Sequence, residues 1–149
     1  MNTVDLFSMK YKSETYQSLQ KLVQSILPVE SNINIHGSQG SGKSTWAQFI
    51  LEKSGLANKF CKIDVKEIEE EKFKTELESC TFRHILLENV DYLHKENQAI
   101  LAQYIQARSL QLKPVVITTS KRSLSDLARE GLLRQDLCYN LSVFNIGLP

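Results

Sequence analysis

Asn32-Ile33-Asn34-Ile35-His36-Gly37-Ser38-Gln39-Gly40-Ser41-Gly42-Lys43-Ser44-Thr45 is the stretch on which the fold of this chain turns. Its first five residues alternate polar and apolar, the period of a strand with one buried face. Gly37 to Ser44 then fit G-x-x-x-x-G-K-[ST], and Trp46, Ala47, Phe49, Ile50 and Leu51 continue as a helix. A glycine-rich turn between a strand and a helix is a phosphate cradle. Glycine lets the backbone fold with its N–H groups inward, and the helix presents its positive N-terminal end to the same anion. Gly37, Ser38, Gln39, Gly40, Ser41, Gly42, Lys43, Ser44 and Thr45 are therefore the expected nucleotide-binding residues, with ATP as the ligand. In that arrangement Lys43 sits on the β- and γ-phosphates and the Ser44 hydroxyl on Mg²⁺.

Outward from this stretch the hydrophobic period alternates along the whole chain. Tyr16, Leu19, Leu22, Val23, Ile26 and Leu27 place one apolar stripe on a helix that Pro28 closes. Beyond the cradle, Gly55 ends the following helix and Phe60-Cys61-Lys62-Ile63 reads as a second short strand. Val65 to Leu77 is charge-dense, with only Ile68, Phe73 and Leu77 as a thin stripe, and predicts a solvated helix. Ile85-Leu86-Leu87 is an apolar run suited to a strand buried on both faces. A helix through Ala99, Ile100, Ala102, Tyr104 and Ile105, a strand over Val115 to Thr119, and a helix from Leu124 to Glu130 stopped by Gly131 follow. Leu141 to Ile146 reads as a last strand. Five strands alternating with helices predict an α/β fold: a three-layer α/β/α P-loop NTPase whose five-stranded sheet is mainly parallel.

Composition limits what the chain can be. Its 149 residues, 42% hydrophobic and 23% charged, close one apolar core and are too few for two ordinary domains, so residues 1–149 read as a single domain. A net charge of +1 offers no long-range attraction to a nucleic-acid backbone or an anionic membrane, so no direct DNA contact and no membrane association are expected from this segment. No apolar run approaches the ~18 residues of a membrane span, and the N-terminus carries no leader pattern, which predicts a cytoplasmic protein. Cys61, Cys80 and Cys138 are odd in number and far apart, so reduced thiols are expected. His36, His84 and His94 share no ligand spacing and are assigned no metal.

A phosphate cradle that supports hydrolysis needs an acid at the end of a neighbouring buried strand to hold the magnesium shell. Glu88, directly after Ile85-Leu86-Leu87, takes that place, so Ser44 and Glu88 are the expected Mg²⁺ residues. A paired second carboxylate would polarise the attacking water, but the next residue is Asn89, and an amide cannot act as a general base. Asp91 is the nearest other acid in sequence. Thr118, Thr119 and Ser120 end the next strand, where Thr119 is a candidate for reaching the γ-phosphate or its water. Ordinary hydrogen bonding at a strand end explains the same three residues equally well. Arg134 fits a surface ion pair or a reach into a neighbouring subunit, and the surface pair is the simpler reading.

Taken together, these segments resemble the AAA+ domain of bacterial sigma-54-dependent transcription activators. Asn34 through Thr45 resembles that family's Walker A segment, and Ile85 to Leu93 followed by Gln98-Ala99-Ile100-Leu101 its Walker B strand and helix. Val116 to Ser120, and then Glu130-Gly131-Leu132-Leu133-Arg134-Gln135-Asp136-Leu137 through Leu141, are similar to its sensor I strand and arginine-finger segment. The resemblance implies ATP with Mg²⁺, a homo-oligomer, and sigma-54 RNA polymerase as partner. It gives Glu88, Thr119 and Arg134 as catalytic positions, Arg134 reaching a neighbour's γ-phosphate.

Departures from the family pattern narrow these implications. No GAFTGA sequence lies between Ile63 and His84, so remodelling of sigma-54 in the usual way is not expected. Asn140 stands where the family has its second finger arginine, Ser120 where it has the sensor asparagine, and Glu88-Asn89 where it has Asp-Glu. The chain ends at Leu148-Pro149 without the helical lid or a DNA-binding element, which reads as a fragment of a longer regulator or a reduced relative. The reading that results is an ATP-binding regulatory domain with weak or absent hydrolysis. Its alternatives are an active oligomeric ATPase using Arg134 in trans and a small P-loop metabolite kinase, the latter without a visible lid or acceptor pocket.

Overall fold

The computed structural model describes residues 14–25, 31–55, 60–80, 84–109 and 115–148. The described helices are α1 (Glu14–Ser25), α2 (Lys43–Lys53), α3 (Phe73–Ser79), α4 (Lys95–Ser109), α5 (Leu124–Arg129) and α6 (Gln135–Leu141). The strands are β1 (Ile33–His36), β2 (Phe60–Asp64), β3 (His84–Glu88), β4 (Val116–Ser120) and β5 (Phe144–Gly147). They form one sheet in the order β2-β3-β4-β1-β5, with every pair parallel.

Strand residues alternate between two apolar layers, as the two-residue period of a strand requires. Leu86 and Ile117 join Ile33, Ile35 and Ile146 beneath Trp46, Phe49 and Ile50 of α2 on one face. Ile85, Leu87 and Val116 join Phe73, Leu77, Leu101, Leu124, Leu137 and Leu141 on the other. Both faces of β3 and β4 are thus covered, and the apolar runs expected there are strands because two layers of helix bury them. Parallel pairing also brings the carboxyl ends of β1, β2, β3 and β4 to one edge of the sheet, where open α/β sheets place their ligands.

Two buried amides, Asn34 and Gln98, tie elements of this framework together. Asn34 on β1, fully buried, donates from Nδ2 to Thr118 Oγ1 at 2.9 Å and Ser120 Oγ at 3.2 Å on β4. Gln98 on α4 donates from Nε2 to the carbonyls of Leu93 (3.0 Å) and Leu132 (2.9 Å), and its Oε1 accepts from the Arg134 N–H at 2.9 Å. One side chain therefore fixes the loop between α5 and α6 against α4.

The structure corrects three expectations. Val65 to Leu77 is not one helix: the Asp64 carbonyl accepts from the N–H groups of Glu67 and Ile68, and Asp64 Oδ1 accepts from the Lys66 N–H, which turns the chain. A short 3₁₀ turn at Glu70–Lys72 follows, and helix begins only at Phe73, whose side chain and that of Leu77 are fully buried. Leu141 belongs to the end of α6 rather than to the last strand, because Leu137 and Leu141 lie one helical turn apart and pack together into the second apolar layer. Cys61 and Cys80 are joined in a disulfide, 19 residues apart in sequence but with Cα atoms 5.7 Å apart, while Cys138 is free. The fold brings the start of β2 beside the end of α3, a proximity that sequence spacing cannot show. Gly55 (φ 72°) and Gly131 (φ 77°) sit past helix ends as expected, whereas Pro28 lies outside the described residues. No helix of the described residues is long and apolar enough to cross a membrane.

Denatured without reductant, the chain should titrate one thiol, and all three cysteines after reduction; three thiols before reduction would remove the cross-link. Closing a loop of this size should contribute about 3 kcal/mol to urea stability, lost on reduction. Gln98→Leu removes the partner of the buried Leu93 carbonyl and of the partly buried Leu132 carbonyl and Arg134 N–H, so its urea unfolding free energy should fall by about 1–3 kcal/mol.

Candidate functional site

The cradle forms where β1 ends. Gly37 N–H bonds to the Ser120 carbonyl at 3.1 Å, which continues the β1–β4 ladder one residue past the strand. Ser41 N–H then bonds back to the Ser38 carbonyl at 3.1 Å, curling the loop before α2 starts at Lys43. Gly42, the residue before α2, has φ 96° and ψ 20°, a conformation that side chains other than glycine's avoid. Gly37 is constrained by space instead. A Cβ there would lie 2.6 Å from Ser41 Oγ and 3.1 Å from Leu148 Cβ.

Lys43 folds over the loop, its Nζ donating to the carbonyls of Gly37 at 2.7 Å and Ser38 at 3.3 Å. Partial burial lowers its pKa below the usual lysine value; Asp91 and Glu88 oppose the shift and Lys121 adds to it. Ser44 Oγ donates to Glu88 Oε1 at 2.6 Å, and Lys62 Nζ lies 3.6 Å from Glu88 Oε2. Glu88 is only 5% exposed, so these partners meet the cost of burying its carboxylate.

A cleft of about 470 Å³ opens over the loop, lined by Gln39, Gly40, Gly42, Lys43, Ser44 and Thr45 on one side. Asp64, Lys66 and Glu67 from the end of β2, Asn89 after β3, and Lys121 after β4 complete it. Lys66 and Lys121 flank the Tyr92 ring, with their ammonium groups 5.5 Å and 5.7 Å from its centre. Lys43, Lys66 and Lys121 outnumber Asp64 and Glu67 in the cleft lining, which favours an anion. Lys66 and Lys121 enter from separate strand ends and share no motif with Lys43, so sequence spacing does not single them out.

The remaining candidates are placed differently. Thr119 is buried, and its Oγ1 accepts from the Asn89 N–H at 3.1 Å, so it shapes the turn after β3 and does not line the cleft. Thr118 and Ser120 are taken up by Asn34, and Ser120 Oγ also donates to the Arg122 carbonyl at 2.7 Å. Arg134 does not line the cleft either: its guanidinium holds Asp136 through Nε at 3.0 Å and Nη2 at 2.8 Å. That pair raises the arginine pKa and lowers the aspartate's, the shared hydrogen bond being the main cause for each. Asp64, like Lys66 and Lys121, lines the cleft without a signal in the sequence, since only the sheet order sets the end of β2 beside Glu88.

Comparison with known proteins bears on the family and the fold. Residues 11–149 match the model of the family described as "Sigma-54 interaction domain". The transcriptional regulatory protein FlbD of Caulobacter vibrioides is 28% identical over 176 residues, covering 99% of this chain and 39% of FlbD. That aligned stretch is longer than the 149 residues of this chain, so FlbD has segments without a counterpart here. NtrX from Brucella abortus, solved in complex with ADP, superposes with a TM-score of 0.80 at 23% identity over 93% of this chain and 37% of NtrX. The P-loop NTPase domain of a sigma-54 activator from E. coli gives a TM-score of 0.72 at 18% identity, covering 92% of this chain and 96% of that domain. The chain spans less than half the length of FlbD and of NtrX.

Gly42→Ala should lower urea stability by roughly 1–2 kcal/mol, the cost of a side chain in left-handed backbone. An unchanged unfolding midpoint and slope would mean that the loop does not hold this conformation in solution.

Proposed function

The chain belongs to the sigma-54 interaction domain family, and from that membership we propose that it is a regulatory domain that binds ATP with Mg²⁺ and hydrolyses it slowly or not at all. The observation that carries the reading is the contact between Ser44 Oγ and Glu88 Oε1 at 2.6 Å beside the Lys43 loop. It supports a triphosphate site, because the hydroxyl and the carboxylate that such a site uses around its cation are already together.

The donor chemistry fits magnesium. Ser44 and Glu88 offer hard oxygens, and magnesium is commonly held by one or two protein oxygens, with phosphate and water filling the rest. When bound, the ion neutralises charge on the β- and γ-phosphate oxygens. The chain's own groups do the rest: the loop and the α2 N-terminus hold the phosphates, while Lys43 exchanges its two carbonyl partners for phosphate oxygens. Lys66 and Lys121 add attraction at the cleft mouth.

Slow turnover is supported by Asn89, whose amide cannot accept a proton in the way a carboxylate does. The Arg134–Asp136 pair supports it too, since the guanidinium is already engaged within its own chain. A role in sigma-54-type transcription regulation follows from the family. The span between β2 and β3 holds only a turn and the short α3 among its described residues, which supports regulation without the GAFTGA loop that the resemblance implies.

With ATP and Mg²⁺ at a hundred times the dissociation constant, folded-state stability should rise by about 2.7 kcal/mol, read as a thermal shift. Lys43→Ala should abolish most of that shift. A wild-type chain that melts at the same temperature with and without Mg-ATP would sink the binding reading.

A further inference from the structure

The cleft contains a carboxylate that the reading above leaves without a task. Asp64 ends β2 in register with Glu88 at the end of β3, and paired positions in neighbouring strands present their side chains to the same face. Two acids therefore stand side by side at the edge of the sheet where the cradle lies. Glu88 is occupied by Ser44 and Lys62, whereas Asp64 lines the cleft itself.

Asn89 determines how Asp64 is presented. Its backbone is left-handed, with φ 59° and ψ 49°, the single non-glycine residue with positive φ among the described residues. Asparagine tolerates that conformation better than most residues. The turn places the Asn89 N–H on Thr119 Oγ1 and its Nδ2 on Asp64 Oδ1 at 2.8 Å. An ionised carboxylate only accepts, so the amide must face it with its NH₂ group. Lys66 N–H makes a second bond to the same oxygen at 3.0 Å. Both donors thus hold Oδ1, and among the described residues Oδ2 has no hydrogen-bond partner and is left for the cleft.

We propose that Asp64 supplies the water-activating carboxylate that position 89 lacks, with Asn89 as its positioning residue. This rests on the nucleotide-binding reading of the same cleft and assigns the residual hydrolysis to it. A water held by Asp64 Oδ2 attacks the γ-phosphorus. The bond from that phosphorus to the β,γ-bridging oxygen breaks, with its electron pair leaving on the diphosphate. The water's proton passes to Asp64, and the products are ADP and inorganic phosphate. Two donors fixed on Oδ1 orient the carboxylate, so a water held by Oδ2 is positioned before the reaction begins.

The test measures phosphate release in a single turnover of Mg-ATP by the full chain, alongside the thermal shift with Mg-ATP. Asp64→Asn should keep the shift and slow release by about a hundred-fold, the lower range of general-base contributions. Adding Asn89→Asp to that variant places a carboxylate at position 89 and should recover at least ten-fold of the loss, a rescue that a merely structural aspartate would not give. Asn89→Ala, which keeps the acid but frees it, should slow release by about ten-fold with the shift intact, and it carries the test if Asp64→Asn does not fold. Release unchanged in Asp64→Asn, or in Asn89→Ala where that variant carries the test, overturns the proposal. So does a wild-type chain that shifts with Mg-ATP but releases no phosphate, an outcome that leaves the binding reading standing. Loss of the thermal shift in Asp64→Asn would make Asp64 a binding group and overturn its assignment as the base. A wild-type chain with no shift removes both readings.

Discussion

The hydrogen bond from Ser44 to Glu88 organises this molecule, because it joins parts of the sheet that are not neighbours. Ser44 stands in the first turn of α2, just beyond β1, and Glu88 ends β3, with β4 between the two strands. For a short hydroxyl to reach that carboxylate, the three strands must end at one level. Parallel register supplies this, pairing Ile35 with Thr119 and Leu87 with Thr118. The bond also solves a local problem, since a nearly buried carboxylate needs partners or it gives up its charge. Lys62, on the adjacent strand, completes that compensation.

Around this contact the polar groups divide between structure and ligand. Asn34, Thr118, Ser120 and Gln98 are buried and spend their hydrogen bonds on one another or on the backbone, fixing β1 against β4 and the α5–α6 loop against α4. Lys43, Lys66, Lys121 and Asp64 lie in the cleft. Thr118 to Ser120, for which the sequence offers a ligand role and ordinary strand-end bonding equally, belong to the first group. A hydroxyl there already has a partner from the packing of the sheet, and using it on a nucleotide would cost that bond.

What the sequence made legible was local. The cradle was visible because strand, loop and helix are consecutive, and Glu88 because an apolar run of three precedes it. The five strands and the layered α/β arrangement followed from the change of period along the chain. Contacts made by register were not legible: nothing in the spacing of Asp64 and Asn89, or of Cys61 and Cys80, says that β2 runs beside β3 or that α3 ends beside β2. Helix α6 escaped because its apolar signal is only Leu137 and Leu141, and Leu141 also begins an apolar stretch that reads as strand. The turn at Asp64 hid the start of α3 in the same way, because a side-chain bond to the Lys66 N–H leaves no trace in periodicity.

The position of Asp64 therefore depends on how well β2 is held, and among the described residues β2 is an edge strand, paired on one side only. Such a strand has half the hydrogen-bonding partners of a central one, and a displacement at its end would move Asp64 away from Asn89. Three features resist this. The β2–β3 register runs without interruption from Phe60–His84 to Asp64–Glu88, Val65 N–H extends it to the Glu88 carbonyl, and Cys61–Cys80 ties the strand to α3. Helix α3 in turn buries Phe73 and Leu77 in the same apolar layer as Ile63. A carboxylate carried on β3 would be held by strands on both sides, so an acid on β2 places the demand for precision at the sheet edge. The cross-link and the buried face of the short helix lie where that demand falls.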